Sequence, residues 1–310
     1  MKYIHEMRIF KYLPPDRIDV ILNQNIRFTQ PHYLNDTFEA IPYLSGIDTA
    51  KKIDDLFDKE IPKIINGQDI LNNFSIQLQE VVKANPEIDP NAIIDIIKTV
   101  EPDKLLSTLV KPFLKSMNLQ PANDDLVEKF REGFQNKLGI LSLTQRKDNL
   151  LMWAHYAQGD TGFVIEFNHS GDLLKNRKSS IACLNEISQV RYREERPEIY
   201  LFKTLTPNQE WIEALAADVF LTKGLSWEYE QELRVVKGLQ ECSCVNESLG
   251  IFLYHFDAAE ISNIYMGMKI GSATEERIKG ILSDSRYGHV GLFKAFQSSK
   301  EYRIDFRKLI

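Results

Sequence analysis

Apolar and polar residues alternate in several short segments of the chain, and this alternation predicts β-strands. The segments lie in the first thirty residues and in the C-terminal half. The predicted strands cover residues 7–13, 26–29, 140–144, 163–167, 190–192, 233–237 and 264–267, and a closing hairpin joins residues 292–296 to 302–306 around Ser298-Ser299-Lys300.

Capping residues between these strands predict short helices. Pro14-Pro15-Asp16 opens a helix over residues 17–22, because proline is tolerated at the first helical position. Asp148 is predicted as the N-cap of a helix through residues 150–157. The sequence Ser272-Ala273-Thr274-Glu275 predicts a capping box that opens a helix over residues 276–282.

The middle of the chain has a different pattern. Between residues 47 and 137 apolar side chains recur at helical spacing, and six prolines interrupt them, which predicts four to six short helices. We therefore predict an α+β core domain made of residues 1–46 and 138–310, with residues 47–137 as a helical insertion or subdomain.

Residues 227–236 read WEYEQELRVV and carry the first candidate site. As one strand, Trp227 and Tyr229 would face a core, while the opposite face would carry Glu228, Glu230, Glu232 and Arg234. This face is either solvated, with Arg234 as a local counter-charge, or the carboxylate row of an active site. A fixed carboxylate can hold a hydroxyl group, act as a base or stabilise a developing cation.

The predicted helix near residue 153 is a second candidate. One of its faces would carry Leu150, Trp153, Ala154 and Ala157, and another would carry Met152, His155 and Tyr156. Trp153, His155 and Tyr156 could wall a cleft and stack on a planar ligand, since aromatic faces bind flat heterocycles. The alternative is a partly buried surface on which each polar ring has a hydrogen-bond partner.

A third candidate is the segment Asn35-Asp36-Thr37-Phe38-Glu39. Asn-Asp is typical of a turn, which Phe38 would anchor in the core. The functional alternatives are a loop that holds a ligand hydroxyl group, or a two-carboxylate metal site made of Asp36 and Glu39.

Composition narrows the function classes. The net charge of −6 gives the protein no overall positive potential that would attract nucleic acid or anionic membranes. No apolar run reaches the ~18 residues of a membrane span, and no signal peptide is found at the start. Three cysteines do not form a disulfide framework, so we expect a reduced, cytoplasmic protein without a metal. Phosphate-binding and dinucleotide glycine motifs are missing.

The candidate segments occur together, in this order, in a known family. The chain resembles the bacterial domain of unknown function 2971 family through the motifs Phe10-Lys11-Tyr12, Asn35-Asp36 with Phe38-Glu39, Leu151 to Ala157 followed by Gly162-Phe163, and Trp227 with Tyr229 to Glu232 and Arg234.

The order of the pieces is also similar, more distantly, to the ADP-ribosyltransferase superfamily. That resemblance implies a core with a mixed, mostly antiparallel sheet. It implies that Lys11 or Tyr12 contacts the nicotinamide ribose, that Ser142 and Thr144 brace the site, and that Tyr156 or Trp153 stacks on nicotinamide. Glu232 would be the catalytic glutamate, and Glu230 would orient the acceptor.

Three functions are consistent with these features. The first is an ADP-ribosyltransferase-like enzyme that uses NAD as substrate and modifies an unknown protein or nucleic acid, as a bacterial toxin or phage-defence effector. The second is a non-catalytic module that binds a nucleotide or a protein, with the helical insertion as a candidate contact surface. The third is a metal-dependent nuclease that uses Asp36, Glu39 and the glutamate row.

Overall fold

The computed structural model describes residues 8–40, 43–46, 137–169, 171–175, 179, 181–200, 209–246 and 250–310. The chain divides into two compact units. One comprises Met1–Pro42, Glu128–Pro197 and Asn208–Ile310, and the other comprises Tyr43–Val127 and Glu198–Pro207. The predicted helical insertion, residues 47–137, lies outside the described residues except for its last position.

Strands dominate the described residues. In chain order they are β1 (Ile9–Leu13), β2 (Asn25–Arg27), β3 (Tyr43–Gly46), β4 (Leu138–Thr144), β5 (Phe163–Phe167), β6 (Ser188–Gln189), β7 (Arg191–Arg193), β8 (Glu198–Tyr200), β9 (Thr222–Gly224), β10 (Glu232–Gly238), β11 (Cys244–Asn246), β12 (Ile251–His255), β13 (Ile261–Met266), β14 (Gly291–Gln297) and β15 (Ile304–Lys308). Strands β3 and β8 form a parallel pair in the second unit.

Eight strands of the first unit form one sheet, in the order β15-β14-β13-β5-β1-β4-β10-β6. All neighbours in this sheet are antiparallel except β13 and β14. A smaller sheet has the order β11-β12-β2, and β7 pairs with β9 in parallel. The fold is therefore α+β with a mixed, mostly antiparallel sheet, as the sequence predicts.

Helices accompany the sheet. They are α1 (Asp19–Asn23), α2 (Leu150–Tyr156), α3 (Gln209–Phe220) and α4 (Ser272–Leu282). No prediction covered α3, although Ile212, Leu215, Ala216 and Val219 have helical spacing. Among the described helices, none combines the length and hydrophobicity that a membrane crossing requires.

Two predicted helix starts are wrong. Asn149, not Asp148, caps α2, because its side chain accepts hydrogen bonds from the backbone N–H groups of Leu151 and Met152 at 2.9 and 3.2 Å. Asp148 instead pairs with Arg146 at 2.8 Å. Helix α4 begins at Ser272 itself, and its N-cap, Gly271, offers no side chain, so the predicted capping box does not form.

Buried side chains cover both faces of the central strand. In β1, Ile9 and Leu13 join one apolar cluster, while Phe10 and Tyr12 join a second one. Because side chains alternate along a strand, these two clusters lie on opposite faces of the sheet. The neighbouring β5 is buried along its whole length.

The segment 227–236 is not one strand, and this prediction is corrected. Residues Leu225–Glu230 form a 3-10 helix, Gln231 has a left-handed backbone with φ of 43°, and the strand begins at Glu232. Glu232 lies opposite Thr144, the last residue of β4, so residues before Glu232 have no β4 partner to continue the ladder. Glu228 is consequently exposed, and no row of three glutamates exists.

Candidate functional site

A small cavity lies against three neighbouring strands of the large sheet. Strand β4 pairs with β10 over seven residues, whereas β1 and β4 meet at one pair, Phe10 opposite Thr144. The cavity has a volume of about 60 Å³. The polar side chains that line it include Lys11 of β1, Ser142 of β4, Tyr156 of α2, Glu230 of the 3-10 helix and Glu232 of β10.

Glu232 is held by two cations. Its side chain accepts hydrogen bonds from Arg234 Nε at 2.8 Å and Arg234 Nη2 at 2.9 Å, and Lys223 Nζ lies 3.4 Å away. Such a two-pronged guanidinium contact fixes the carboxylate plane. Glu232 is only 2% exposed, and this burial raises its pKa, while Lys223 and a hydrogen bond from Ser142 act in the opposite direction.

Glu230 reaches the same place from the end of the 3-10 helix. Lys223 Nζ donates to its Oε2 at 2.7 Å, and the hydroxyl of Tyr156 donates to Oε1 at 2.5 Å. Asn35 Nδ2 in turn donates to the Tyr156 oxygen at 2.8 Å. Burial and the contact with Glu230 together raise the pKa of Tyr156, so this phenol remains a donor to the carboxylate.

Lys223, which lies in the middle of β9, joins both glutamates and was not among the predicted site residues. Burial alone would lower the pKa of this lysine, but attraction to Glu232 and Glu230 outweighs burial and raises it. The signal in the sequence is weak, a lysine two positions after the apolar run Val219-Phe220-Leu221.

The turn at residues 35–40 contributes one more carboxylate. Glu39 is buried, its Oε1 accepts a hydrogen bond from Arg234 Nη2, and Lys223 Nζ lies 3.7 Å from the same oxygen. Its Oε2 is buried without a hydrogen-bond partner among the described residues. Asp36 Oδ1 accepts a hydrogen bond from the Phe38 backbone at 3.0 Å, which confirms the predicted turn. Phe38 is 65% exposed, so it does not anchor this turn in the core.

Lys11 and Tyr12 on the first strand face different surroundings. Lys11 Nζ donates to the Ser142 carbonyl oxygen at 2.8 Å, and burial lowers its pKa to about 8 despite nearby Glu232. Tyr12 is packed in the core, with its hydroxyl donating to the Arg146 carbonyl oxygen at 2.9 Å. Among the bracing residues, the Thr144 hydroxyl donates to the Glu230 carbonyl oxygen at 2.5 Å.

The predicted aromatic wall is largely wrong. Trp153 is completely buried, and its indole N–H donates to the Lys147 carbonyl oxygen at 2.8 Å, so this ring cannot stack on a ligand. His155 is exposed, with its ring centroid 6.4 Å from that of Tyr156, and it does not line the small cavity. Leu150 and Ala154 are exposed too, so the predicted division of faces fails. Of the three predicted ring residues, only Tyr156 lines the cavity, and Met152 of the same helix lies beside it on the wall.

A larger cavity of about 560 Å³ adjoins the small one in the first unit. Asn35 and Lys223 line both. In the larger cavity the Lys223 ammonium lies 4.6 Å from the centroid of the Trp227 ring, and Arg193 lies on the wall. The aromatic ring suits a planar ligand, and the wall carries charges of both signs, because Asp36, Glu194, Glu195 and Asp218 line the cavity as well as the cations.

Charges of both signs meet in this cluster. Three carboxylates, Glu39, Glu230 and Glu232, face three cations, Lys11, Lys223 and Arg234, and the buried Asp36 also acts on Arg234. In the parts of the chain that the structure describes, no group of three or more His, Cys, Asp or Glu residues is arranged to hold a metal ion.

A second buried carboxylate, Glu166 of β5, belongs to a different site. Its Oε2 accepts hydrogen bonds from Asn263 Nδ2 and from the Tyr265 hydroxyl, both at 2.7 Å. The side chain lines a cavity of about 500 Å³, where Lys147 Nζ lies 5.3 Å from the centroid of the Tyr265 ring. Neutral donors thus satisfy this oxygen.

Comparison with known proteins gives one family match. Residues 152–235 match the model of a family described as "Protein of unknown function (DUF2971)". The matched segment contains α2 from Met152 onward, Lys223, both cavity glutamates and Arg234, and it supports the predicted resemblance to this family. Neither the curated proteins nor the solved structures gave a match to the chain.

Proposed function

We propose that this protein is an NAD-using enzyme of the ADP-ribosyltransferase type, with Glu232 as its catalytic carboxylate. The observation that carries the proposal is the adjacency of β1, β4 and β10. Lys11, Ser142 and Glu232, one from each strand, line one cavity. These positions are the ones that the resemblance assigns to the nicotinamide ribose, the bracing strand and catalysis, with Lys11 in place of the arginine or histidine of the superfamily.

The reaction breaks the bond between the ribose C1′ and the nicotinamide nitrogen, and nicotinamide leaves with the bonding electron pair. The ribose becomes cationic as this bond lengthens, so an ionised Glu232 stabilises the transition state more than the ground state. The same carboxylate can accept a hydrogen bond from the ribose 2′-hydroxyl. A nucleophilic oxygen or nitrogen of the acceptor then bonds to C1′, and Glu230 can take the proton that it releases.

The two adjoining cavities support a ligand with two parts. The small one can admit only the reacting end of a dinucleotide. The larger one has the volume for a nucleotide, with Trp227 available for stacking and Arg193 for phosphate. Lys223 and Asn35 form the wall common to both parts.

Nicotinamide release from NAD tests this function, measured by chromatography with and without a cell lysate as the source of acceptor. Glu232→Gln should lower the rate ~100-fold or more while the fold is retained, because one preorganised charge is lost. Glu228→Gln is the matched control, since Glu228 is exposed and only four positions away. If the wild-type protein neither binds NAD in calorimetry nor releases nicotinamide, the proposal is wrong.

One observation favours a second function, a non-catalytic module that binds a nucleotide. Both cavity glutamates are buried and already neutralised by Lys223 and Arg234, which suits a rigid binding surface as well as a reactive one. A module of this kind would raise its melting temperature with ADP-ribose, because ligand binding stabilises the folded state, and would release no nicotinamide.

A further inference from the structure

Lys223 is the hub of the buried charge cluster. It is 5% exposed, and its Nζ lies 2.7 Å from Glu230 Oε2, 3.4 Å from Glu232 Oε2 and 3.7 Å from Glu39 Oε1. An ammonium group has three protons to donate. One cation therefore faces three carboxylates, which come from the 35–40 turn, the 3-10 helix and β10.

The parallel pair β7–β9 delivers this lysine to the site. Tyr192 of β7 is the register partner of Lys223. The Tyr192 hydroxyl accepts a hydrogen bond from the Glu232 backbone N–H at 2.8 Å. Two facing residues of one strand pair thus hold Glu232, one through its main chain and one through its side chain. A fixed backbone on both sides restricts where the Lys223 ammonium can lie.

Two neighbouring buried carboxylates repel each other when both are charged, and the cation between them offsets this repulsion. Burial and the charge of Glu230 both raise the pKa of Glu232, whereas Lys223 is the leading influence that lowers it. Like charges in one site otherwise leave one carboxyl group protonated. The titratable and charged groups around this pair are Lys11, Glu39, Tyr156, Tyr192, Lys223, Tyr229 and Arg234.

We propose that Lys223 is a positioning residue that holds Glu230 and Glu232 side by side at the cavity and keeps Glu232 ionised beside its neighbour. This inference rests on the proposed function, because that reaction gives each glutamate a separate task that requires a negative charge. Lys223 acts on the reaction through the two carboxylates. Arg234 cannot substitute for it, because its guanidinium is directed at Glu232, Glu39 and the Phe220 carbonyl oxygen and not at Glu230.

The direct experiment follows glutamate ionisation by NMR of ¹³C-labelled glutamate carboxyl groups as the pH is lowered. In Lys223→Met, Glu232 should take up its proton at least about one pH unit higher than in the wild-type protein, because the cation shared by the two glutamates is lost. Lys223→Arg keeps the charge, so the titration of Glu232 in this variant should stay close to that of the wild-type protein. Lys269→Met is the control, because Lys269 is 67% exposed and pairs with Asp160 on the surface. Unchanged glutamate titration in a folded Lys223→Met protein would overturn the proposal.

A second arm separates this inference from the proposed function. If the wild-type protein releases nicotinamide, the acid limb of the pH–rate profile should lie at higher pH in Lys223→Met by the same amount. The fall in kcat should be larger than the change in KM. If it releases none, the proposed function fails, and the titration still decides the role of Lys223. Should Lys223→Met not fold, Glu230→Gln replaces it, because removing the second carboxylate should then lower the pH at which Glu232 takes up its proton. An unchanged Glu232 titration in that variant would also overturn the proposal.

Discussion

The large sheet contains two sites at which carboxylates are buried, and they are built differently. Around Glu232, two cations meet the charge, Arg234 with two hydrogen bonds and Lys223 at 3.4 Å. Around Glu166, an amide and a phenol donate to one oxygen. The donors to Glu166 are neutral, although Arg8, Lys147 and Arg303 also line its cavity, whereas Glu232 has Glu230 beside it and accepts hydrogen bonds from buried cations. The difference indicates that two neighbouring buried carboxylates depend more on direct contacts with cations than a single one does.

The largest effect that distinguishes the two sites should come from removing Arg234. Arg234→Met leaves Glu39 and Glu232 buried with Lys223 as their remaining shared cation, so the free energy of unfolding should fall by about 3–5 kcal/mol. Urea denaturation at neutral pH measures this. Arg303→Met is the control, because Arg303 pairs with Glu301 and Asp305 on the surface and should lose at most about 1 kcal/mol. Similar losses of unfolding free energy in Arg234→Met and Arg303→Met would contradict the prediction that burial makes the ion pairs of Arg234 harder to remove.

A smaller effect should appear in the pH dependence of the charged site. The pKa of Lys11 falls from 10.5 to about 8 in the folded protein, so between these values the unfolded chain binds more protons. The stability of the wild-type protein should therefore rise from pH 8 to pH 10 relative to Lys11→Met, by about 2 kcal/mol. Urea midpoints at each pH give the difference. Lys269→Met should follow the wild-type curve, and a Lys11→Met curve parallel to the wild type would refute the prediction.

The smallest effect should come from the site of Glu166. Tyr265→Phe removes one of two donors to Glu166 and leaves Asn263 in place, so we expect a loss of about 1–2 kcal/mol in the same denaturation experiment. Tyr302→Phe is a matched control, since Tyr302 is fully exposed. If Tyr265→Phe lost as much unfolding free energy as Arg234→Met, the predicted difference between the Glu166 and Glu232 sites would be wrong.

Much of the sheet could be predicted from alternation, because local pattern decides which residues extend and which face is apolar. The strand Phe163–Phe167 and the C-terminal hairpin are confirmed on this basis. The segment before Glu232 misled the prediction because its alternating aromatic and acidic residues favour a strand, whereas the residues form a 3-10 helix with a period of three. The strand can begin only at Glu232, because β4 ends opposite this residue, and local sequence does not contain that information.

The candidate site was predictable in part. Lys11, Ser142, Tyr156, Glu230 and Glu232 were chosen from motifs, and all five line one cavity. Trp153 was misassigned because a tryptophan next to His155 and Tyr156 in the sequence is equally typical of a buried core residue and of the wall of a cleft. Lys223 could not be found, since only the pairing of β7 with β9 brings it to the glutamates.

The ion pair between Glu39 and Arg234 joins residues that are 195 positions apart in the chain. During synthesis, the N-terminal turn leaves the ribosome long before its arginine partner exists. Contacts of such separation form only after a large loop closes, and they slow the approach to the native state. The charge cluster should therefore assemble late, so that its completion marks a chain in which the N-terminal turn has met β10.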